Sequence, residues 1–449
     1  MFKIPGIRGF NPEAFQKYFK NSSWLLLARV GSLFIKMVVN AIILPNYLGG
    51  HLFGSYNYPL TILSFFMGIC TLGTDSLVTR QLLRSPNLKN EILGSALRIR
   101  LIGGLVALPL IYFSYFLIEG FATHAPAASF LQVAFVSVIC LLQSVQIIDS
   151  YFQAQVQGKY IMYVQVGGNI LSGIIKLIGV FLGLSLNFFI ITLVLDVLWL
   201  QIGYLYFYRK QGENIFQWRF SPKIAKQLLL AGWPLALSSI FVSLYMKMDQ
   251  IMIDALLGAE KLGVYSTVVT YSESWYFIPV ALSAALFPAI MNFKKNDEKL
   301  YKKRMGNLYE LMVIMSVSIA LIVTLIAPHL YAFLYSSRPE FLQGSIILQV
   351  HIWSGVFAFL ATASSQYLIA ENLTTLTLLR TLLGALTNIV LNLILIPNLG
   401  ILGAAIGTLC AYFVAAFSIL FFKKTREQGI LLLKSLFLPN LIKGIFRKS

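Results

Sequence analysis

Charge is scarce in this sequence: Asp, Glu, Lys and Arg make up only 12% of its 449 residues, where a soluble domain carries about 25%. Cysteine is scarcer still. Cys70, Cys140 and Cys410 are scattered through apolar segments, a pattern that makes no disulfide framework and no metal site. The four histidines, His51, His124, His329 and His351, are dispersed too, mostly towards loops. No glycine-rich phosphate loop of the GxxxxGK[ST] form and no HExxH is present, which excludes autonomous ATP hydrolysis and zinc-protease chemistry. The longest polar stretch is too short for a catalytic domain, so an enzyme is not expected.

Hydrophobic residues, at 58%, are what the chain has in abundance. A membrane helix needs roughly 20 mostly apolar residues, and such runs follow one another to the end. We expect twelve spans, at residues 22–46, 56–74, 98–118, 128–156, 161–183, 186–207, 228–257, 264–291, 306–327, 346–369, 376–396 and 401–422. Arg29 interrupts the first run and no small-residue cleavage site follows, so it reads as a span rather than a cleaved signal. The flanks read as interfacial: Asn11-Pro12-Glu13 opens a short helix, and the tail from Gly429 mixes Leu and Ile with Lys.

The net charge of +18 would suggest nucleic acid in a soluble protein. Here it sorts by loop. With the N-terminus cytoplasmic, 28 of the 35 Lys and Arg fall inside and two, Lys261 and Arg338, outside. This satisfies the positive-inside rule and places both termini in the cytoplasm. The expected partner is therefore the bilayer, with no nucleic acid.

A repeat is visible. Leu48-Gly49 with Phe53-Gly54-Ser55-Tyr56 recurs as Leu257-Gly258 with Leu262-Gly263-Val264-Tyr265, at an offset of 209 residues. Leu182-Gly183 recurs as Leu399-Gly400, at 217. The pattern predicts a six-plus-six duplication, a common transporter plan: an N-terminal lobe at 1–207, a linker at 208–227, a C-terminal lobe at 228–422 and a basic cytoplasmic tail at 423–449. The fold class is thus all-α, a polytopic membrane protein with twelve transmembrane helices in two six-helix lobes.

Five cations remain inside spans: Arg29, Lys36, Lys176, Lys247 and Arg380. Each costs roughly 2.5–3.5 kcal/mol at mid-membrane unless it faces water or a partner. Snorkelling from a helix end suits Arg29 and Arg380; Lys36 and Lys176 sit too deep for it. Helical spacing collects polar residues into stripes. Arg29, Ser32, Lys36 and Asn40 share a face, as do Gln143, Gln146, Ser150, Gln153 and Gln157. So do Gln165, Asn169, Ser172 and Lys176, and so do Ser239, Ser243, Lys247, Gln250 and Asp254. One such stripe is often helix–helix glue; several argue for a shared hydrated cavity lined by Asn40, Gln143, Gln146, Gln153, Asn169 and Gln250. The acids Asp75, Asp149, Asp196, Asp249, Asp254 and Glu273 either neutralise these cations or couple H+ or Na+ to transport. Glu273, with no basic neighbour in its own span, stands out among the coupling candidates, which also include Asp249, Asp254, Asp149 and Asp75. No other cofactor is expected.

Gly232-Trp233-Pro234-Leu235, with Tyr245, Asp249, Gly258, Gly263 and Tyr265, resembles the seventh-helix signature of Wzx-type polysaccharide flippases. Tyr151-Phe152-Gln153-Ala154 with Lys159-Tyr160 is similar to other recurrent segments of that family, as is Pro397-Asn398-Leu399-Gly400 with Gly403-Ala404-Ala405. The family lies in the multidrug/oligosaccharidyl-lipid/polysaccharide (MOP) exporter superfamily. The resemblance implies a V-shaped pair of six-helix lobes and alternating access. It further implies an undecaprenyl-pyrophosphate-linked oligosaccharide as substrate, moved across the bacterial inner membrane for O-antigen or exopolysaccharide assembly. Polysaccharide polymerase and chain-length machinery would be its partners. Arg29, Lys36, Lys176, Lys247 and Arg380 would then face the pyrophosphate. The second half is poorer in buried cations than the first, which leaves open which lobe holds the headgroup. Two alternatives stand: a multidrug or organic-cation antiporter of the same superfamily, which favours an acidic cavity, and a scaffold without transport, which leaves the stripes unexplained.

Overall fold

The computed structural model describes residues 12–438 except 292, 295, 296 and 372. The charges at Lys3, Arg8, Lys295, Lys443, Arg447 and Lys448, and the tail beyond residue 438, lie outside them. The described residues are helical and contain no strand.

The chain opens with α1 (Pro12–Met37), a π-helical stretch at Val38–Ile43 and α2 (Leu44–Thr71). α2 is kinked at Gly49, whose φ of 74° suits a residue without a Cβ. α3 (Thr74–Arg84) and α4 (Lys89–Phe121) follow. The fourth expected span is built from α5 (Phe130–Ser137), α6 (Ile139–Leu142), a 3₁₀ turn at Gln143–Gln146 and α7 (Ile147–Ala154). A capping box starts α5: Gln132 N donates to Ser129 Oγ while Ser129 N donates to Gln132 Oε1. α8 (Gly158–Phe181), α9 (Leu186–Lys210) and α10 (Pro222–Leu257) are long and regular.

α11 (Ala259–Glu273) and α12 (Phe277–Met291) divide the expected eighth span in two. Its break has a cause in the sequence. Pro279 brings no N–H and its ring crowds the carbonyl of Trp275. Ser274 Oγ instead donates to the Thr270 carbonyl at 2.5 Å. α13 (Glu298–Leu334) is capped by Asp297, which accepts from Leu300 N at 2.9 Å. α14 (Gly344–His351) and α15 (Ser354–Ala370) form a bent span, and α16 (Thr374–Leu399), α17 (Ile401–Phe417) and α18 (Arg426–Ser435) complete the order.

Among the described residues nine helical segments are long and apolar enough to cross a membrane, and the pair bent by 45° at Ile352–Trp353 makes a tenth. The first of the nine, Ser23–Arg84, is 62 residues long, enough for two crossings at about 20 residues each. α11 and α12, at 15 residues each, are individually too short to cross, and they occupy the place of the expected eighth span.

The chain forms two compact units. One comprises the described residues through Tyr47, Pro59–Gly120 and Ala128–Ile240; the other comprises Leu48–Tyr58, Phe121–Ala127 and the described residues from Phe241. The first is packed around Val78, Leu93, Ile147, Phe152, Tyr204 and Leu228, with α1 lying along α8 and α8 along α9. The second is packed around Met305, Tyr309, Leu360, Ala363 and Phe417. Within this second unit the two copies of the repeated motif meet. A methyl group added at Gly54 would collide with the Ala259 carbonyl, and one at Gly263 with the Gly50 carbonyl.

Candidate functional site

Five of the intramembrane polar residues lie at irregularities in the helices. Asn40 lies in the π-helical stretch Val38–Ile43, and Gln143 and Gln146 bound the 3₁₀ turn inside span four. Glu273 ends α11 at the break in span eight, and His351 ends α14 at the bend in span ten. Non-regular helix at membrane depth leaves backbone groups to be satisfied locally and is tolerated where it is buried or lines a wet cavity. Such stretches recur at functional positions. The buried Oδ1 of Asn40 and Oγ of Ser32, both on the first stripe, have no hydrogen-bond partner among the described residues.

In the first unit the cations divide into paired and unpaired. Lys176 Nζ donates to Asp196 Oδ2 at 2.6 Å, and Lys176 is buried. Arg29 and Lys36 are exposed and form no ion pair among the described residues. Seven residues apart, they fall about 20° from each other around the helix and about 10.5 Å apart along it. The exposed apolar side chains Leu27, Val30 and Phe34 lie roughly 90° or more around the helix from them. Lys36 is within electrostatic reach of both Asp196 and Lys176; Arg29 stands in the same relation to Asp149.

Arg100 corrects the sequence reading. Counted there among the loop cations, it is fully buried in α4, donating through Nη2 to Asp75 Oδ1 at 2.6 Å and through Nε to Thr74 Oγ1 at 2.8 Å. Its position two residues inside the expected third span was the available signal. Asp75 is therefore paired. Asp149 accepts from Gln153 Nε2 at 3.2 Å, leaving its buried Oδ1 without a hydrogen-bond partner among the described residues. Asn169 is satisfied within its own helix, donating to the Gln165 carbonyl at 2.6 Å.

In the second unit the two helix breaks adjoin. Ser272 Oγ and His351 Nδ1 are 2.9 Å apart, so His351 is a core residue and not a loop residue. Beside them Lys247 Nζ donates to Glu273 Oε2 at 3.0 Å, each side chain about one-fifth to one-quarter exposed. Glu273, solitary within its own span, is thus partnered from α10.

Asp249, two residues beyond Lys247 on α10, is buried; its hydrogen-bond partners are neutral, and Lys247 and Glu273 lie within electrostatic reach. It accepts from Tyr265 Oη at 2.5 Å, Thr408 Oγ1 at 3.1 Å and Gln250 N at 2.8 Å. Asn388 donates to Thr408 Oγ1, Asn392 donates to Asn388 Oδ1, and Asn392 Oδ1 is buried without a hydrogen-bond partner among the described residues. Thr408, Asn388 and Asn392 were not singled out by the sequence, because no titratable group marks them; Tyr265 was noted there only as part of the repeat and the seventh-helix motif. Asp254 has a different place: its Oδ2 accepts from Ala127 N at 3.1 Å, and Thr123 N donates to the Ala255 carbonyl, so this end of α10 anchors the 121–127 segment.

Arg380 does not snorkel. It is buried, and donates to Ser364 Oγ at 2.7 Å, the Ala361 carbonyl at 2.8 Å and Ser365 Oγ. No group of three or more His, Cys, Asp or Glu suited to a metal ion occurs among the described residues.

The polysaccharide biosynthesis protein family matches residues 18–294, and the MatE family matches residues 234–394. An uncharacterised membrane protein of Methanocaldococcus jannaschii is 29% identical over 197 residues, 42% of this chain and 45% of that relative; the match thus spans less than half of the relative's length. Among solved structures, an inward-facing multidrug resistance MATE family transporter of the MOP superfamily superposes with a TM-score of 0.71 at 15% identity, over 93% of this chain and 99% of that one. The lipid II flippase MurJ in an inward closed conformation gives 0.61 at 18% identity, over 95% and 92%. A MOP superfamily transporter from Pyrococcus furiosus, described as having a binding pocket of reverse polarity, gives 0.62 at 14%, over 93% and 97%. These likenesses establish the fold as that of the MOP superfamily.

Proposed function

Because the chain belongs to the polysaccharide biosynthesis protein family, and is a multi-pass membrane protein with the MOP fold, we propose that it is a flippase for a lipid-linked oligosaccharide. The substrate is an undecaprenyl-pyrophosphate-linked unit, carried across the bacterial inner membrane by alternating access for O-antigen or exopolysaccharide assembly. Polysaccharide polymerase and chain-length machinery then act on what is delivered. The orientation follows the basic loops, with both termini cytoplasmic.

One observation carries this reading: Arg29 and Lys36 share a face of α1 and form no ion pair among the described residues, while Lys176, Lys247 and Arg100 are each matched to a carboxylate. Two accessible cations two turns apart suit a di-anion such as a pyrophosphate, which needs partners to pass hydrocarbon. Lys176 then acts through Asp196 and Lys36, holding the local balance positive. Lys247 and Arg380, satisfied within the second unit, are held in reserve as cavity cations.

Asp249 is the preferred coupling group for H+ or Na+. It is a buried carboxylate whose hydrogen-bond partners Tyr265, Thr408 and Gln250 are neutral, with Lys247 and Glu273, of opposite sign, both within electrostatic reach. Glu273 already has Lys247.

The test replaces Arg29 and Lys36 by Gln, singly and together, in a host whose surface polysaccharide depends on this gene. Export lost at normal protein levels supports the reading; export intact in the double variant overturns it. The second reading, an organic-cation antiporter, is favoured by the match of residues 234–394 to the MatE family and by the acids Asp249, Asp254 and Glu273 within that stretch. Drug resistance conferred by the chain and abolished by Asp249→Asn, with polysaccharide unaffected, would select it.

A further inference from the structure

A cavity of about 540 Å³ lies in the second unit, lined by Leu373, Thr375, Leu376, Phe421, Phe422, Lys423 and Lys424. Its place relative to the bilayer follows from the spans that border it. Thr375 begins the candidate span Thr375–Leu399, and Phe421 ends the candidate span Ile401–Phe421. The mouth of the cavity is therefore at the edge of the hydrocarbon, where lipid phosphates sit. Its walls are fixed: Thr425 Oγ1 donates to the Ile419 carbonyl at 2.7 Å, closing the turn that carries the two lysines, and Leu373 N donates to the Leu368 carbonyl at 2.7 Å.

The charges around it are unevenly spent. Lys294 pairs with Glu371, and Lys302 bridges Glu298 and Glu427 at 2.9 and 2.7 Å. These carboxylates belong to the segments flanking the cavity. Lys423 and Lys424 are exposed and form no ion pair among the described residues. The cavity lining thus combines two cations whose neighbouring acids are already engaged with apolar side chains, Phe421 being 86% exposed.

We propose that this cavity binds the headgroup of an anionic membrane phospholipid, its phosphate between Lys423 and Lys424 and its acyl chains along Phe421, Phe422 and Leu376. A soluble phosphate would satisfy the lysines and leave the aromatic wall facing nothing; a zwitterionic lipid would fill the wall and bring an ammonium against two cations. An anionic phospholipid meets both halves. The site is separate from Arg29, Lys36 and Asp249, and does not depend on the transported substrate.

The experiment uses the full chain purified in detergent and titrated with phosphatidylglycerol, phosphatidylcholine or inorganic phosphate, with bound lipid counted by native mass spectrometry. Phosphatidylglycerol is expected to bind saturably and in a salt-sensitive way, with binding weakened on the order of tenfold or more in the Lys423→Gln/Lys424→Gln variant. A second variant, Leu376→Trp, keeps both lysines and fills the apolar side; it is expected to lose lipid too. The control Lys299→Gln/Lys303→Gln removes the same charge elsewhere and is expected to bind normally. Equal loss in that control, equal retention of phosphatidylcholine, or displacement of lipid by millimolar inorganic phosphate would each overturn the proposal. If Lys423→Gln/Lys424→Gln does not fold, Lys423→Arg/Lys424→Arg takes its place: retained binding supports the site, and lost binding with normal folding overturns it.

Discussion

Lys247 and Glu273 form an ion pair across two helices, Nζ to Oε2 at 3.0 Å, at the point where span eight breaks. Removing one partner leaves the other partly buried and unmatched, whereas removing both does not. Glu273→Gln and Lys247→Gln are each expected to cost about 1–3 kcal/mol, and the double variant is expected to recover most of it. Thermal unfolding of the three purified variants measures this. A double variant as unstable as the sum of the singles would show that the pair is not coupled.

Asp249 should behave differently. Asn in its place keeps one carbonyl oxygen to accept from Tyr265 and Thr408, removes the charge, and exchanges the oxygen that accepts from Gln250 N for an NH2 donor. Asp249→Asn is expected to fold with a melting temperature within a few degrees of wild type, and to lose both stabilisation by Na+ or H+ and gradient-driven export. Persistent gradient dependence would move coupling to another acid.

Arg29→Gln and Lys36→Gln are expected to lower export at least about tenfold, each removing a charge-assisted contact of roughly 1.5–3 kcal/mol, with protein level unchanged. Lys176→Gln is expected to lower protein level as well, since it strands Asp196. Immunoblotting beside a surface-polysaccharide assay separates the two outcomes.

Arg100→Met removes a fully buried guanidinium that serves Asp75 and Thr74. Asp75 is largely exposed, so the anion left behind is hydrated and cheap. The reverse variant, Asp75→Leu, leaves the buried cation with Thr74 alone and should be the more damaging by about 1–2 kcal/mol. Melting temperatures of the two rank them.

The architecture was legible because apolar runs and basic loops are local properties of a chain. The spans and the fold class could be read from them. What lies across a gap could not. Glu273 looked solitary because its own span holds no base; its partner is 26 residues earlier on another helix. Arg100 looked like a loop cation because Arg98 stands beside it, and only the fold shows that one faces Phe220 while the other is buried against Thr74 and Asp75. Thr408 and Asn388 carry no charge, and neutral polar residues in membrane helices are common enough as packing glue to pass unnoticed; Tyr265 stood out in the repeat, but not as a donor to Asp249. The break at Glu273 was written in Pro279 and Ser274, but a sum over an apolar window hides it.

The contact of Gly54 with Ala259 and of Gly263 with Gly50 pairs residues by a single offset of 209, in both directions. A surface that touches its own equivalent in this reciprocal way is what two separate chains make across a dyad. Within one polypeptide these two contacts thus take the reciprocal form of a dyad-related pair. The two glycines answer to each other as crystallographic mates would, so bulk added at either should strain the same seam.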